Sequence, residues 1–157
     1  MDYTVVTYGH AALRKKAEPV AAVTDEIRTL AGDMLQAMYR HRGLGLAAEQ
    51  VNRPESICVI DVPPSHDVAR EGGPPLNPGV TMPLVLINPR IVAARGEQDG
   101  QEGCLSFPEI FATIRRDWEV EVAFTGLDNL PHTVTAVGLL ARAIQHEIDH
   151  LNGVLLV

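Results

Sequence analysis

Apolar positions recur at helical spacing near both ends of the chain and at strand spacing between them. Ile27, Leu30, Met34, Leu35 and Met38 follow Thr24, whose hydroxyl suits an N-cap, and the pattern ends near Gly43, predicting a first helix. A second helix is predicted where Leu140, Ile144, Ile148 and Leu151 share one stripe at 100° per residue, with Thr135 as its expected N-cap and Gly153 just past its last turn. Leu139, Arg142, Ala143, His146 and His150 fall on the adjacent face, with Glu147 between the two faces. One side is set to pack on a core while the other presents both imidazoles.

Between these helices, residues 57–61, 82–88 and 91–94 read as short buried strands. Trp118, Val120, Val122 and Phe124 alternate with Glu119 and Glu121 as a half-exposed strand, and residues 126–129 form a turn into a partner near 132–135. Five prolines and three glycines between Val62 and Val80 mark a long loop within one domain, residues 1–157. Strands in the middle and helices at the ends give an α+β fold, with short antiparallel or mixed sheets and a last helix crossing the core.

Composition narrows the function. A net charge of −7 without a basic run argues against nucleic-acid binding, because affinity for a phosphate backbone rests on clustered Lys and Arg. Neither a basic leader nor a long apolar run is visible, so a soluble, cytoplasmic protein with no membrane association is expected. Two cysteines in unrelated settings fit a reducing compartment.

The second helix contains His146-Glu147-Ile148-Asp149-His150. At helical pitch, two imidazoles one turn apart can grip one divalent ion while the intervening carboxylate reaches its water. The bland alternative is a surface helix with two solvated histidines. A catalytic metal needs three protein ligands and an open position. Residues 151–157 contain no His, Cys, Asp or Glu, so the third ligand is sought upstream among His10, His41, His66, His132, Cys58, Cys104 and the acids. Cys58 lies inside an apolar strand, whereas Cys104 follows glycine in the polar stretch 101–109, which makes Cys104 the preferred candidate. Residues 43–50, Gly-Leu-Gly-Leu-Ala-Ala-Glu-Gln, read either as a helix end and a tight turn or as backbone that approaches a ligand closely, with Gln50 offering a donor amide.

Taken in order, residues 43–50, 102–106 and 145–151 resemble the three signature motifs of the peptide deformylases. Leu13-Arg14, Ala17-Glu18-Pro19-Val20 and Leu86-Ile87-Asn88-Pro89 are similar to that family as well, so the resemblance covers almost the whole chain. It implies a peptide-deformylase-like fold around a central metal-binding helix, and a hydrolase that removes the N-formyl group from N-formylmethionyl polypeptides as formate. It implies one divalent ion held by Cys104, His146 and His150, with Fe2+ in the cell and Zn2+ or Ni2+ as isolated. Glu147 is then the proton carrier, and Gln50 with the backbone N–H of Leu105 stabilises the oxyanion. Gly45, Leu44, Gly103, Leu139, Arg142 and Ala143 are the implied substrate-binding residues. The implied partner is the N-formylated nascent polypeptide.

Three features depart from the family pattern. Glu49 stands at a position that is often proline and is expected to face solvent. Arg142 stands where an apolar residue commonly lines the methionine pocket; it is expected either to narrow or polarise that pocket, weakening methionine preference, or to run along its rim. The chain ends at Val157, where members usually continue into a C-terminal helix, so ribosome docking is not carried over. The competing readings are a different single-metal peptidase or amidase, and a metal-binding relative with altered substrate or no turnover.

Overall fold

The computed structural model describes residues 3–5, 16–104 and 107–154, with the backbone alone for residues 103, 104 and 107–112. Helix α1 (Asp25–Arg40) is followed by β1 (Gly45–Ala47), a short 3-10 helix (Ala48–Val51), β2 (Ile57–Ile60), β3 (Leu84–Arg95), β4 (Gln98–Cys104), β5 (Phe107–Arg116), β6 (Glu119–Thr125), β7 (Pro131–Val137) and α2 (Gly138–Leu151). The strands β1-β2-β3-β6-β7 form one sheet in that order, and β4 and β5 form a separate hairpin. All pairings in both sheets are antiparallel. This is the expected α+β architecture. None of the described helices is long and apolar enough to cross a membrane.

The strand period explains how the sheet sits between the helices. Ile57 and Val59 of β2, with Ile87 of β3, pack on Leu30, Met34, Ala37 and Met38 of α1. Cys58 and Ile60 point the other way, joining Leu86, Val120, Val122 and Ala136 beneath Leu140, Ala141, Ile144 and Ile148 of α2. An antiparallel strand covered on both faces has no polar side to show, which is why β2 reads as an unbroken apolar run. The stripe predicted on the last helix is buried, and Arg142, Gln145, Glu147 and His150 of the same helix are buried as well.

Some boundaries differ from expectation. Thr24 caps α1 as predicted, accepting the Ile27 N–H at 3.3 Å. Thr135, in contrast, lies inside β7 and pairs with Glu121, so it does not cap α2. The chain passes from strand to helix through Gly138 at φ +66°, a conformation that glycine adopts without strain. The junction is held from the long loop: the Asn77 amide accepts the Val137 N–H at 2.9 Å and donates to the Val137 carbonyl at 3.0 Å. Asp67 in turn accepts the Asn77 amide at 2.5 Å. The segments expected as two strands, 82–88 and 91–94, are one strand, β3, with a register shift between Ile87 and Arg90. Asn88, at φ 51°, absorbs the irregularity and bonds both the N–H and the carbonyl of Val20 through its side chain.

Candidate active site

Helix α2 brings His146, Glu147 and His150 together, with one ligand atom from each lying within 4.8 Å of the others. The two Nε2 atoms face each other at 3.2 Å. Each ring is held from behind at Nδ1, His146 by Glu102 Oε1 at 2.8 Å and His150 by Glu49 Oε1 at 3.0 Å. An acceptor at Nδ1 favours the ring proton there, which turns the Nε2 of each ring toward the space between them. Two nitrogens ~2.0–2.1 Å from one ion at a tetrahedral angle are about 3.3 Å apart, close to the spacing here. Burial, reinforced by the positive charge of His146 and Arg116, lowers the His150 pKa to about 3, so its ring is neutral.

Glu147 sits between the histidines in sequence and is buried, with Oε1 making no hydrogen bond among the described residues. A buried carboxylate oxygen without a partner is costly, and its position beside two convergent imidazoles suits a group that handles a proton. Burial pushes its pKa up to about 7, the charge of His146 opposing and that of Glu102 adding to the effect. Gly45 of β1 makes room for it. A Cβ at residue 45 would lie 2.5 Å from Glu147 Oε2, so only glycine lets strand and carboxylate approach this closely. From the same segment, Gln50 accepts the Ala47 N–H on its Oε1 at 2.9 Å, which sets the amide's orientation and leaves Nε2 as its donor end.

The remaining letters of the motif serve the surrounding network. Gln145 accepts the Asp117 N–H at 3.0 Å and donates to the Asp117 carbonyl at 2.9 Å, fastening α2 to the turn between β5 and β6. Asp149 pairs with Arg116, which also grips Glu102 at 2.9 Å. Burial alone would raise the Glu102 pKa, but the hydrogen bonds of His146 and Arg116 overcome it and hold the carboxyl at about 2.

Arg142 lies neither in solvent nor along a rim. It is 5% exposed and donates to Glu102 at 2.5 Å and to the Ile114 carbonyl at 2.9 Å, with longer bonds to the Gly100 and Gln98 carbonyls. Its guanidinium is turned into the β4-β5 hairpin. Glu49 is a second correction: expected in solvent, it is 4% exposed and bonded to His150. Both acceptors behind the histidines, and Arg116 between Glu102 and Asp149, escaped sequence reasoning. Glu102 stood inside a recognised motif, which was the only signal for it.

Among the upstream candidates, Cys58 is fully buried in the core, and burial, then the Glu147 charge, raises its thiol well above the ordinary value. His132 pairs with Asp128 on the surface, and His41 and His66 are exposed. Leu44 and Gly45 lead into the segment that faces Glu147, and Leu139 and Ala143 lie half-buried on α2. His10, Leu105 and the side chain of Cys104 lie outside the described residues.

A sequence model of the polypeptide deformylases matches residues 2–157. The chain belongs to the polypeptide deformylase family. The peptide deformylase of Nitrosococcus oceani is 44% identical over 98% of this chain and 83% of its own length. That of Thermomicrobium roseum is 45% identical over 98% and 83%. Among solved structures, the Synechococcus elongatus peptide deformylase in complex with actinonin is 40% identical with a TM-score of 0.85, covering 98% of this chain and 75% of that one. The Ehrlichia chaffeensis peptide deformylase gives 36% and 0.87 over 99% and 86%. The activity follows from the family: metal-dependent hydrolysis of the N-formyl group on nascent polypeptides.

Proposed function

We propose that the substrate is the formyl group of an N-terminal formylmethionine, cleaved to formate at one divalent ion held by His146, His150 and Cys104. The observation that carries this reading is the convergence of the two Nε2 atoms beside a Glu147 oxygen that has no hydrogen-bond partner among the described residues. Cys104 ends β4 two residues beyond Glu102, whose carboxylate reaches His146, which supports it as the third ligand. A thiolate with two imidazoles suits iron, zinc or nickel; ferrous iron is the expected ion in the cell and zinc or nickel its replacement on isolation. When bound, the ion lowers the pKa of a water and polarises the formyl carbonyl.

The chain's own groups supply the rest. Glu147 accepts a proton as water adds to the formyl carbon, then returns it to the departing amine, so one carboxylate serves both steps. Gln50 Nε2 and the Leu105 N–H donate to the oxyanion. Gly45, Leu44 and Gly103 border the substrate backbone, while Leu139 and Ala143 line its side-chain pocket. Arg142, committed to Glu102, is expected to leave methionine preference intact. A formyl carbon carries only hydrogen, so a cramped site admits it and excludes internal peptide bonds.

The test is metal content and formate release from a formylmethionyl tripeptide, using anaerobically purified wild type, Cys104→Ala, His146→Ala and His150→Ala. One equivalent of metal in wild type, with loss of metal and activity in each variant, is expected. Full metal and activity in Cys104→Ala would overturn the ligand set, and preference for formylglutamyl over formylmethionyl peptides would overturn the substrate.

A further inference from the structure

Glu49 belongs to no element of the reaction described so far, yet it is one of the most deeply placed carboxyl groups in the molecule. It sits on the short 3-10 helix Ala48–Val51, directly before Gln50, and its Oε1 meets Nδ1 of His150 at 3.0 Å across a sequence separation of 101 residues. Its other oxygen has no hydrogen-bond partner among the described residues. The contact to His150 is thus the one polar interaction shown for this carboxyl group. A buried carboxyl that keeps a single hydrogen bond is a poor stabiliser of a fold, since its unmade bond and its desolvation oppose the gain. Its geometry makes sense if what it supplies is the orientation of the ring.

We propose that Glu49 is a positioning residue for the metal centre: by accepting the Nδ1–H of His150, it fixes that ring's tautomer and rotation so that Nε2 is presented to the ion. Such partners behind a ligating histidine orient the ring and increase its basicity, and removing them typically weakens metal binding by about 10–100-fold. The inference rests on His150 being a ligand. Hydrogen-bond acceptance, rather than net charge, is the property required. The 3-10 helix thereby does two things with adjacent residues: Glu49 aims a metal ligand, and Gln50, oriented through Ala47, offers its amide to the reaction. Behind Glu49 lies a cavity of about 250 Å³, also bordered by Lys16, Glu18, Asn52 and Arg53, from which water could replace a truncated side chain. Bulky apolar replacements are therefore more informative than alanine.

The experiment uses the zinc-loaded full chain and follows zinc transfer to a chelator, with cobalt-substituted protein read by its visible absorption and folding followed by circular dichroism. Glu49→Leu is expected to bind zinc about 10–100-fold more weakly and to shift the cobalt spectrum. Glu49→Gln, which retains an acceptor without the charge, is expected to stay within about threefold of wild type and to keep the spectrum. Glu49→Met removes the acceptor with a more pliable side chain and serves the same purpose if the leucine variant does not fold. Wild-type zinc affinity and cobalt spectrum in the folded Leu or Met variant would overturn the inference. So would a Gln variant as weak as they are. His150→Ala separates this failure from that of the underlying reading: if it too keeps full zinc, the ligand assignment is at fault rather than the role of Glu49.

Discussion

The two histidines of α2 are held from behind by the same chemistry in two opposite settings. Glu102, behind His146, is gripped by Arg116 and Arg142 and is held ionised, its pKa about 2. Glu49, behind His150, touches no cation among the described residues, and burial followed by the Glu147 charge pushes it up to about 9. Buried charge is tolerated when it is paired and fully hydrogen-bonded, and is otherwise avoided by protonation. One carboxyl therefore knits the hairpin β4-β5 to the last helix, while the other contributes little to the fold and is present for the ring it touches.

This contrast predicts unequal costs. The largest stability loss is expected from Glu102→Ala, which leaves the buried Arg142 and the half-buried Arg116 without their shared anion. Loss of a partner from a buried pair typically costs about 3–5 kcal/mol, to be read from urea unfolding of metal-free protein. Arg142→Met comes next, at about 1–3 kcal/mol, because Arg116 still compensates Glu102 while the strand carbonyls lose a donor. Its methionine preference, measured as the ratio of kcat/KM for formylmethionyl and formylglutamyl peptides, should match wild type. The smallest effect is expected from Glu49→Leu: removing an uncompensated buried carboxyl should change metal-free stability by less than about 1 kcal/mol in either direction. A cost for Glu49→Leu equal to that of Glu102→Ala would erase the distinction between the two settings.

A fourth substitution probes the carboxylate between them. Gly45→Ala would place a methyl group 2.5 Å from Glu147 Oε2 and force that side chain aside. Overpacking of this kind costs about 1–3 kcal/mol, but formate release should fall more than stability does if the displaced group is the proton carrier proposed above. Equal losses in both would place Gly45 in the fold alone.

The same contrast marks what the sequence made legible. Both helices, β2 and the alternation of β6 follow local apolar periods and were readable from them. The hairpin β4-β5 was not, because β4 reads Gln-Asp-Gly-Gln-Glu-Gly-Cys and uses its polar side chains against α2, so no hydrophobic alternation announces it. The break expected at Asn88-Pro89 proved to be a bulge within one strand, its side chain committed to a distant segment. In the site, His146, Glu147 and His150 were visible because helical pitch alone unites them. Glu49 and Arg116 reach the same helix across sequence separations of 101 and 33 residues, and nothing local distinguishes a carboxylate that will be buried from one that will be solvated.

In the proposed reaction Glu147 is the group that moves the proton. The most direct test is the rate of formate release from a formylmethionyl peptide by wild type and Glu147→Ala at equal measured metal content. A loss of about 10²–10⁴-fold in kcat with the metal retained is the predicted result. A variant that keeps its metal and releases formate at the wild-type rate would contradict it.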